Sequence, residues 1–186
     1  MLSNQRIGCI DYRMYGHPLS RTTHRLPGHV YRGPWTYFVT ICTRSRLPVL
    51  GTVVNGLVEQ SATGMMVREE WMKTPDLRPG VVLDAYVVMP DHFHGLLTLP
   101  SDDCLCSEFV KSGDTRREGG IAPGYRPASL SALIGGFKAA CTRRYWEIQG
   151  RKLGPLWQRD YYDRIVRDDI GLSQIRRYIE KNPARW

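Results

Sequence analysis

Two β-rich segments joined by a proline turn constrain the fold of this chain more than any other feature. "VVLDAYVVMP" (81–90) and "HFHGLLTL" (92–99) are rich in aliphatic and aromatic residues, and the Pro90-Asp91 pair between them is typical of a turn. Strands joined by so short a connection pair antiparallel. The segments therefore predict a β-hairpin within an antiparallel sheet.

The rest of the chain completes an alternation of strands and helices. "TYFVTICT" (36–43) alternates as a strand does, and "YYDRIVR" (161–167) predicts a short one. Three helices are predicted: 57–73, a segment after a Ser129 N-cap, and 168–182. The order β-α-β-β-α-β-α predicts an α+β fold, a ferredoxin-like plait with helices on one face and an extra C-terminal helix.

Apolar residues at spacings of three and four predict which helix faces are buried. The first helix should bury Val58, Ala62, Met65 and Met72 and end before Pro75. The second should bury Leu130, Leu133, Ile134, Phe137, Cys141 and Tyr145, although Gly135-Gly136 weakens its middle.

The chain of 186 residues predicts one domain over 34–186, preceded by an irregular basic arm at 1–33. Residues 101–128 are polar and rich in Gly and Pro, which predicts a flexible loop inside that domain. The net charge of +8 is concentrated at the two ends of the chain, since 1–33 holds five arginines and one aspartate. This distribution favours a surface that faces a polyanion, and a solvated basic surface without a partner is the alternative.

The sequence indicates a cytoplasmic protein. No apolar run is long enough to span a membrane, and the N-terminus lacks the apolar core of a signal peptide. The five cysteines are odd in number and lack a C-x-x-C pair, which predicts reduced thiols. The C-x-C of Cys104 and Cys106 is only a weak metal signal.

Residues 92–94 place two histidines on one side of a strand. Positions i and i+2 share a face, so His92 and His94 project together and Phe93 points into a core. Two neutral imidazoles can bind a divalent ion if a third ligand comes from elsewhere. The alternative is a pair of hydrogen-bonded surface histidines.

The final helix brings a phenol, an amide and cations together. Tyr178 and Asn182 are four residues apart and share a helix face. The surrounding cations are Arg176, Arg177, Lys181 and Arg185. This combination suits phosphate chemistry, although a packed tyrosine and an asparagine that ends the helix before proline would give the same pattern.

Three motifs in order resemble a known family over roughly residues 30–186. "VVMPDHFHGLLTLP" resembles the His-hydrophobic-His motif of single-tyrosine HUH transposases, and "RYIEKNP" resembles their nucleophile helix. "LWQRDYYDRIVRDD" is similar to the preceding stretch in REP-associated tyrosine transposases. The resemblance implies metal-dependent cleavage and strand transfer of hairpin-containing single-stranded DNA through a 5′-phosphotyrosine. It implies that Tyr178 is the nucleophile and that the metal is bound by His92, His94 and Asn182.

The resemblance also implies cofactor and partners. The ion is Mg²⁺ or Mn²⁺, with Zn²⁺ or Ni²⁺ as substitutes in vitro, and the partner is single-stranded or hairpin DNA associated with a bacterial nucleoid. The protein would be a monomer or homodimer without a membrane partner. Candidate DNA contacts are Arg176, Arg177, Lys181, Arg143, Arg144 and Arg32.

Two other functions fit the same residues: a catalytically silent module that binds DNA hairpins, and a metal nuclease that uses water as nucleophile. Tyr161 and Tyr162 are rival tyrosines, interpreted as structural or as base-stacking surfaces. Two departures from the family pattern stand out, the long 101–128 segment and a chain that ends four residues after Asn182. The second puts in question how firmly the final helix docks.

Overall fold

A computed structural model describes residues 34–100 and 129–186. Its elements, in chain order, are β1 (Thr36–Cys42), β2 (Gly51–Val54), β3 (Leu57–Gln60), α1 (Ala62–Met72), α2 (Thr74–Leu77), β4 (Val82–Val88), β5 (His92–Thr98), α3 (Leu130–Gln149), β6 (Tyr162–Val166) and α4 (Asp169–Lys181), with 3-10 turns at Arg44–Arg46, Arg151–Leu153 and Pro183–Arg185. The predicted basic arm at 1–33 and the loop at 101–128 lie outside the described residues.

Four strands form an antiparallel sheet in the order β4-β5-β1-β6. The predicted hairpin is confirmed, because β4 and β5 pair across the Pro90-Asp91 turn and the Met89 amide donates to the His92 carbonyl at 2.8 Å. The pairing is interrupted by a bulge between Leu83 and Tyr86. The mixed α+β architecture with an antiparallel sheet confirms the predicted fold class.

One face of the sheet packs against α1 and α3 to form the main core. Trp71 of α1 lies with its ring centroid 4.8 Å from that of Phe93 and 5.3 Å from that of Phe137, and all three are buried. The buried face predicted for the second helix is confirmed in full. Its N-cap is Ser129, whose hydroxyl accepts a hydrogen bond from the Ala132 amide.

The first helix was predicted to start too early. Residues 57–60 form β3, which pairs with β2 through a turn in which Asn55 and Gly56 both have positive φ, the geometry of a two-residue hairpin loop. The helix begins only after Ser61, whose hydroxyl caps the Gly64 amide at 3.1 Å. The Asn-Gly turn and this cap outweigh the helical spacing of the apolar residues.

The buried face of α1 also differs from the prediction. Met65 and Met72 are about half exposed, at 51% and 52%, whereas Met66, Val67 and Trp71 are buried. The helix starts after Ser61, and this start sets which of its residues face the sheet. The predicted buried face was counted from Val58, which belongs to β3 and not to the helix. The error in the boundary therefore caused the error in the face.

The last helix, α4, lies on the opposite face of the sheet. Its buried residues Ile175 and Ile179 form a small second core with Phe38 of β1 and Leu96 of β5. Asp168 caps the helix, accepting from the Gly171 amide at 2.6 Å. Among the described residues, 34–100 and 129–186, no helix is both long and apolar enough to cross a membrane.

Candidate active site: two histidines and a tyrosine between the sheet and the last helix

The two histidines occupy the sheet face that α4 covers. In the pairing of β1 with β5, His92 lies opposite Cys42 and His94 lies opposite Thr40. The imidazole centroids are 4.6 Å apart, and both side chains are buried, at 9% and 1% exposure. Phe93 points the other way into the main core, as strand alternation predicts.

Helix α4 brings Tyr178 to this pair. The Tyr178 hydroxyl lies 3.4 Å from Nε2 of His94, and the two ring centroids are 5.4 Å apart. Phe38 supports both rings, stacking on His94 at 5.2 Å and meeting Tyr178 edge-on at 6.0 Å. Tyr178 is half-buried, so the phenol is fixed by packing and still reaches the surface. Residues 84 positions apart in sequence thus meet on one side of the sheet.

Each histidine has an oxygen partner at its Nδ1 atom. Thr40 Oγ1 is 2.8 Å from Nδ1 of His94, and a carboxylate oxygen of Asp91 forms a short hydrogen bond with Nδ1 of His92. Nothing in the sequence pattern singled out Thr40, because its role depends on strand register. Asp91 adjoins the motif and was interpreted only as a turn residue, although carboxylate partners are common for metal-binding histidines.

Burial keeps His94 neutral. Removal from water lowers the pKa of His94 well below its usual range, and the charges of His92 and Arg46 lower it further. A neutral imidazole has one nitrogen with a free lone pair, which can bind a metal or accept a proton from a phenol. His94 therefore stays neutral beside Tyr178 under ordinary conditions.

The cation that helps to lower the pKa of His94 is Arg46, which sequence inspection missed. It lies in the turn after β1 with a positive φ of 57°, as does Ser45 at 55°, a strained conformation for residues other than glycine. Its guanidinium is 3.4 Å from the Asp91 carboxylate and one-third exposed. The strained turn thus places the Arg46 guanidinium at the edge of the histidine site.

The predicted cations of α4 have different surroundings. Arg176 forms a two-pronged ion pair with Asp84 of β4, with contacts of 2.6 to 3.1 Å, which ties the helix to the sheet edge. Arg177 and Lys181 are exposed on the same helix. Their proposed role in binding DNA stays a prediction, as does that of Arg176.

Two residues at the end of α4 border the site. Asn182 is buried at 8% exposure, one helical turn beyond Tyr178, and stays a predicted third ligand. Trp186 packs its indole against His92, with centroids 5.7 Å apart. The last helix is thus docked on one side of Tyr178 by Ile175 in the second core and on the other by the contact of Trp186 with His92.

Other predicted DNA contacts do not reach this site. Arg143 and Arg144 belong to α3, on the opposite side of the sheet. Arg144 bridges to the carboxylates of Glu69 and Glu70 on α1, at 2.7 and 2.8 Å, and so joins the two core helices. Arg32 lies outside the described residues.

The rival tyrosines are separated by strand alternation. Tyr161 packs against the main core, with its hydroxyl 3.4 Å from that of Ser131. Tyr162 lies opposite Thr40 in the pairing of β1 with β6, so it shares the histidine face. Trp157 is buried in the main core.

The donor set fits a divalent ion. Both Nδ1 atoms are engaged by oxygens, which leaves Nε2 of each histidine as the remaining donor, and an amide oxygen lies on the helix that carries the phenol. Imidazole with amide oxygen suits Mn²⁺ and Zn²⁺ and accommodates Mg²⁺. Within 34–100 and 129–186, no group of three or more His, Cys, Asp and Glu residues is placed to hold a metal, so a complete set needs Asn182 or a ligand from the substrate.

Comparison with known proteins supports the fold. No protein-family model matches the chain. An uncharacterised protein of Haemophilus influenzae is 28% identical over 169 residues, which is 89% of either chain. The solved structure of a REP-associated tyrosine transposase bound to a REP hairpin is 20% identical, with a TM-score of 0.58, covering 87% of this chain and 73% of that one. The chain therefore shares the fold of a REP-associated tyrosine transposase.

Proposed function

We propose that this protein cleaves and rejoins single-stranded DNA through Tyr178, as a single-tyrosine transposase of the REP-associated type. The observation that carries the proposal is the 3.4 Å approach of the Tyr178 hydroxyl to Nε2 of His94 on a buried strand. The shared fold with a transposase and the His92–His94 pair on the same sheet face support it.

The chemistry is a transfer between two oxygens. The Tyr178 oxygen attacks a backbone phosphorus, a tyrosine–phosphorus bond forms, and the bond from phosphorus to the 3′ oxygen breaks. The phenolic proton leaves to water, since the Nε2 lone pair of His94 is the one that would hold the ion, and the 3′ oxygen departs as a hydroxyl after taking a proton. The 5′-phosphotyrosine keeps the energy of the phosphodiester, so a second 3′-hydroxyl can reverse the reaction.

A divalent ion held by His92, His94 and Asn182 would polarise the scissile phosphate and offset its developing charge. The protein's own contributions are separate from this. Phe38 fixes the orientation of the His94 and Tyr178 rings by packing against both.

The DNA partner is proposed from charge and from the solved neighbour. The chain has a net charge of +8, and the transposase that shares its fold was solved with a REP hairpin. Arg46, Arg177 and Lys181 are exposed enough to meet phosphates around the site. A cytoplasmic protein acting on hairpin-bearing single strands is consistent with these features.

The test is a covalent-adduct assay. The full chain is incubated with labelled single strands that carry a hairpin, in Mn²⁺, and resolved under denaturing conditions. Wild type is expected to form a protein–DNA adduct that chelator abolishes, and Tyr178→Phe is expected to form none. Tyr162→Phe is the matched control, because Tyr162 lies on the same sheet face and should leave the adduct intact.

The two other functions give different results in the same assay. Cleavage without an adduct in wild type and in Tyr178→Phe would indicate a nuclease that uses water. Salt-sensitive binding without cleavage would indicate a hairpin-binding module. Either result overturns the strand-transfer proposal.

A further inference from the structure

The hydrogen-bond partners of the two histidines decide which nitrogen is free to act. An imidazole binds a metal through the nitrogen without a proton, so its tautomer determines which side of the ring is the donor. In this protein both Nδ1 atoms face oxygens, Asp91 at His92 and Thr40 at His94. These contacts are present in the protein before any ligand binds.

For His92 the tautomer follows from Asp91. A carboxylate only accepts hydrogen bonds, so Nδ1 of His92 must carry the proton. The other carboxylate oxygen of Asp91 lies 3.4 Å from the guanidinium of Arg46, so both oxygens of the carboxylate have a partner. The lone pair of neutral His92 is therefore on Nε2.

For His94 the placement of the ring determines which nitrogen faces the site. The Thr40 hydroxyl can donate or accept, so its distance of 2.8 Å alone leaves the tautomer open. A metal bound at Nε2 requires the proton on Nδ1, where the Thr40 hydroxyl then accepts it. Thr40 lies on β1, the strand that Nδ1 faces, whereas Nε2 faces Tyr178 on α4.

We propose that Asp91 and Thr40 are positioning residues that fix both histidines in the Nδ1–H tautomer and so present both Nε2 lone pairs on the Tyr178 side of the sheet. That these lone pairs hold a divalent ion rests on the proposed function. The tautomers themselves are properties of the metal-free protein and are measured without any reaction.

The chain offers a matched control for Thr40. Thr36 lies on the same face of the same strand, and its hydroxyl is 2.8 Å from that of Thr98 on β5. Thr36→Val and Thr40→Val each remove one buried or half-buried hydroxyl between β1 and β5 and keep the side-chain volume. Thr40→Ser keeps the hydroxyl and should restore the wild-type behaviour. A general effect of strand pairing would appear in both valine variants.

The experiment measures the tautomers directly. Two-bond ¹H–¹⁵N spectra of labelled, metal-free protein near neutral pH, assigned with His92→Gln and His94→Gln, should show Nδ1–H at both positions. Thr40→Val should convert His94 partly to the Nε2–H form, and Asp91→Ala should do so for His92. Calorimetric titration with MnCl₂ should show affinity lowered by about 10- to 100-fold in both variants.

The outcomes separate this inference from the proposed function. If Thr40→Val and Asp91→Ala keep the Nδ1–H tautomers and wild-type Mn²⁺ affinity, the positioning role is wrong, even where the DNA adduct forms. If the tautomers and affinities change as expected but no adduct forms, the positioning role holds and strand transfer fails. If Thr36→Val and Thr40→Val lose Mn²⁺ affinity equally, the loss comes from weaker strand pairing, and the inference is overturned.

Discussion

Gly95 tests how closely the main core supports the histidine strand. It follows His94 on β5, and a Cβ at this position would point into the core, 2.6 Å from Cζ2 of Trp71 and 2.8 Å from Cε1 of Phe93. Both distances are shorter than real Cβ contacts permit, and both rings are fully buried. Gly95→Ala must therefore displace either the rings or the strand that carries His94.

The expected cost is substantial for a single methyl group. Insertion of a methyl into a packed core costs roughly 1–3 kcal/mol, and two rigid aromatic rings at these distances place Gly95→Ala at the upper end of that range. Urea unfolding followed by circular dichroism measures the loss as a lower midpoint with an unchanged slope. A displaced strand should also weaken Mn²⁺ binding, because His94 adjoins the substitution.

Gly136→Ala is the matched control. It makes the same change in α3, where the nearest atom to the new methyl is the flexible end of Arg78 at 3.4 Å. Alanine is favoured over glycine in a helix interior, so this variant should gain roughly 0.5–1 kcal/mol. If Gly95→Ala were as stable as wild type while Gly136→Ala behaved as expected, the close packing behind the histidine strand would be refuted.

Three further predictions concern other buried groups. The Lys138 ammonium donates to three carbonyls at residues 158–160. Lys138→Met should therefore lower the free energy of unfolding by about 1–2 kcal/mol and speed proteolysis in that segment. An unchanged rate of proteolysis would contradict this. Burial lowers the pKa of His94, so the unfolded chain binds the proton more readily than the folded protein does. The free energy of unfolding should therefore fall as the pH drops below about 6.5, by at most about 1.4 kcal/mol per pH unit. Urea titrations at several pH values should show a smaller fall in His94→Gln. Burial raises the pKa of the Cys141 thiol, so peptide mapping after treatment with a thiol reagent at pH 8 should find Cys141 unmodified in the native protein and modified in urea; native labelling would contradict its burial.

The fold was largely predictable because its main signals are local. The hairpin around Pro90-Asp91 and the apolar face of α3 follow from alternation and helical spacing, and both are confirmed. The segment 57–60 was mistaken for helix because four residues of a short strand carry little periodicity. There the Asn55-Gly56 turn was the decisive signal and was overlooked.

The candidate site was predictable only in part. His92, His94 and Tyr178 stand in motifs whose residue types suggest their chemistry, and the structure brings them to one side of the sheet. Thr40 and Arg46 belong to no motif. Thr40 meets His94 through strand register across 54 residues, and Arg46 reaches the site through a strained turn, neither of which a local pattern encodes.

The most direct test of the account is to locate the residue that carries the DNA. Wild type is allowed to form its adduct with a hairpin-bearing single strand, the DNA is trimmed by nuclease, and tryptic peptides are analysed by mass spectrometry. Trypsin releases Tyr178 in the peptide YIEK (178–181) and the rival tyrosines in DYYDR (160–164), so the two are distinguished by mass. The expected result is a nucleotide-bearing YIEK peptide. A nucleotide on DYYDR, or on neither peptide, would contradict it.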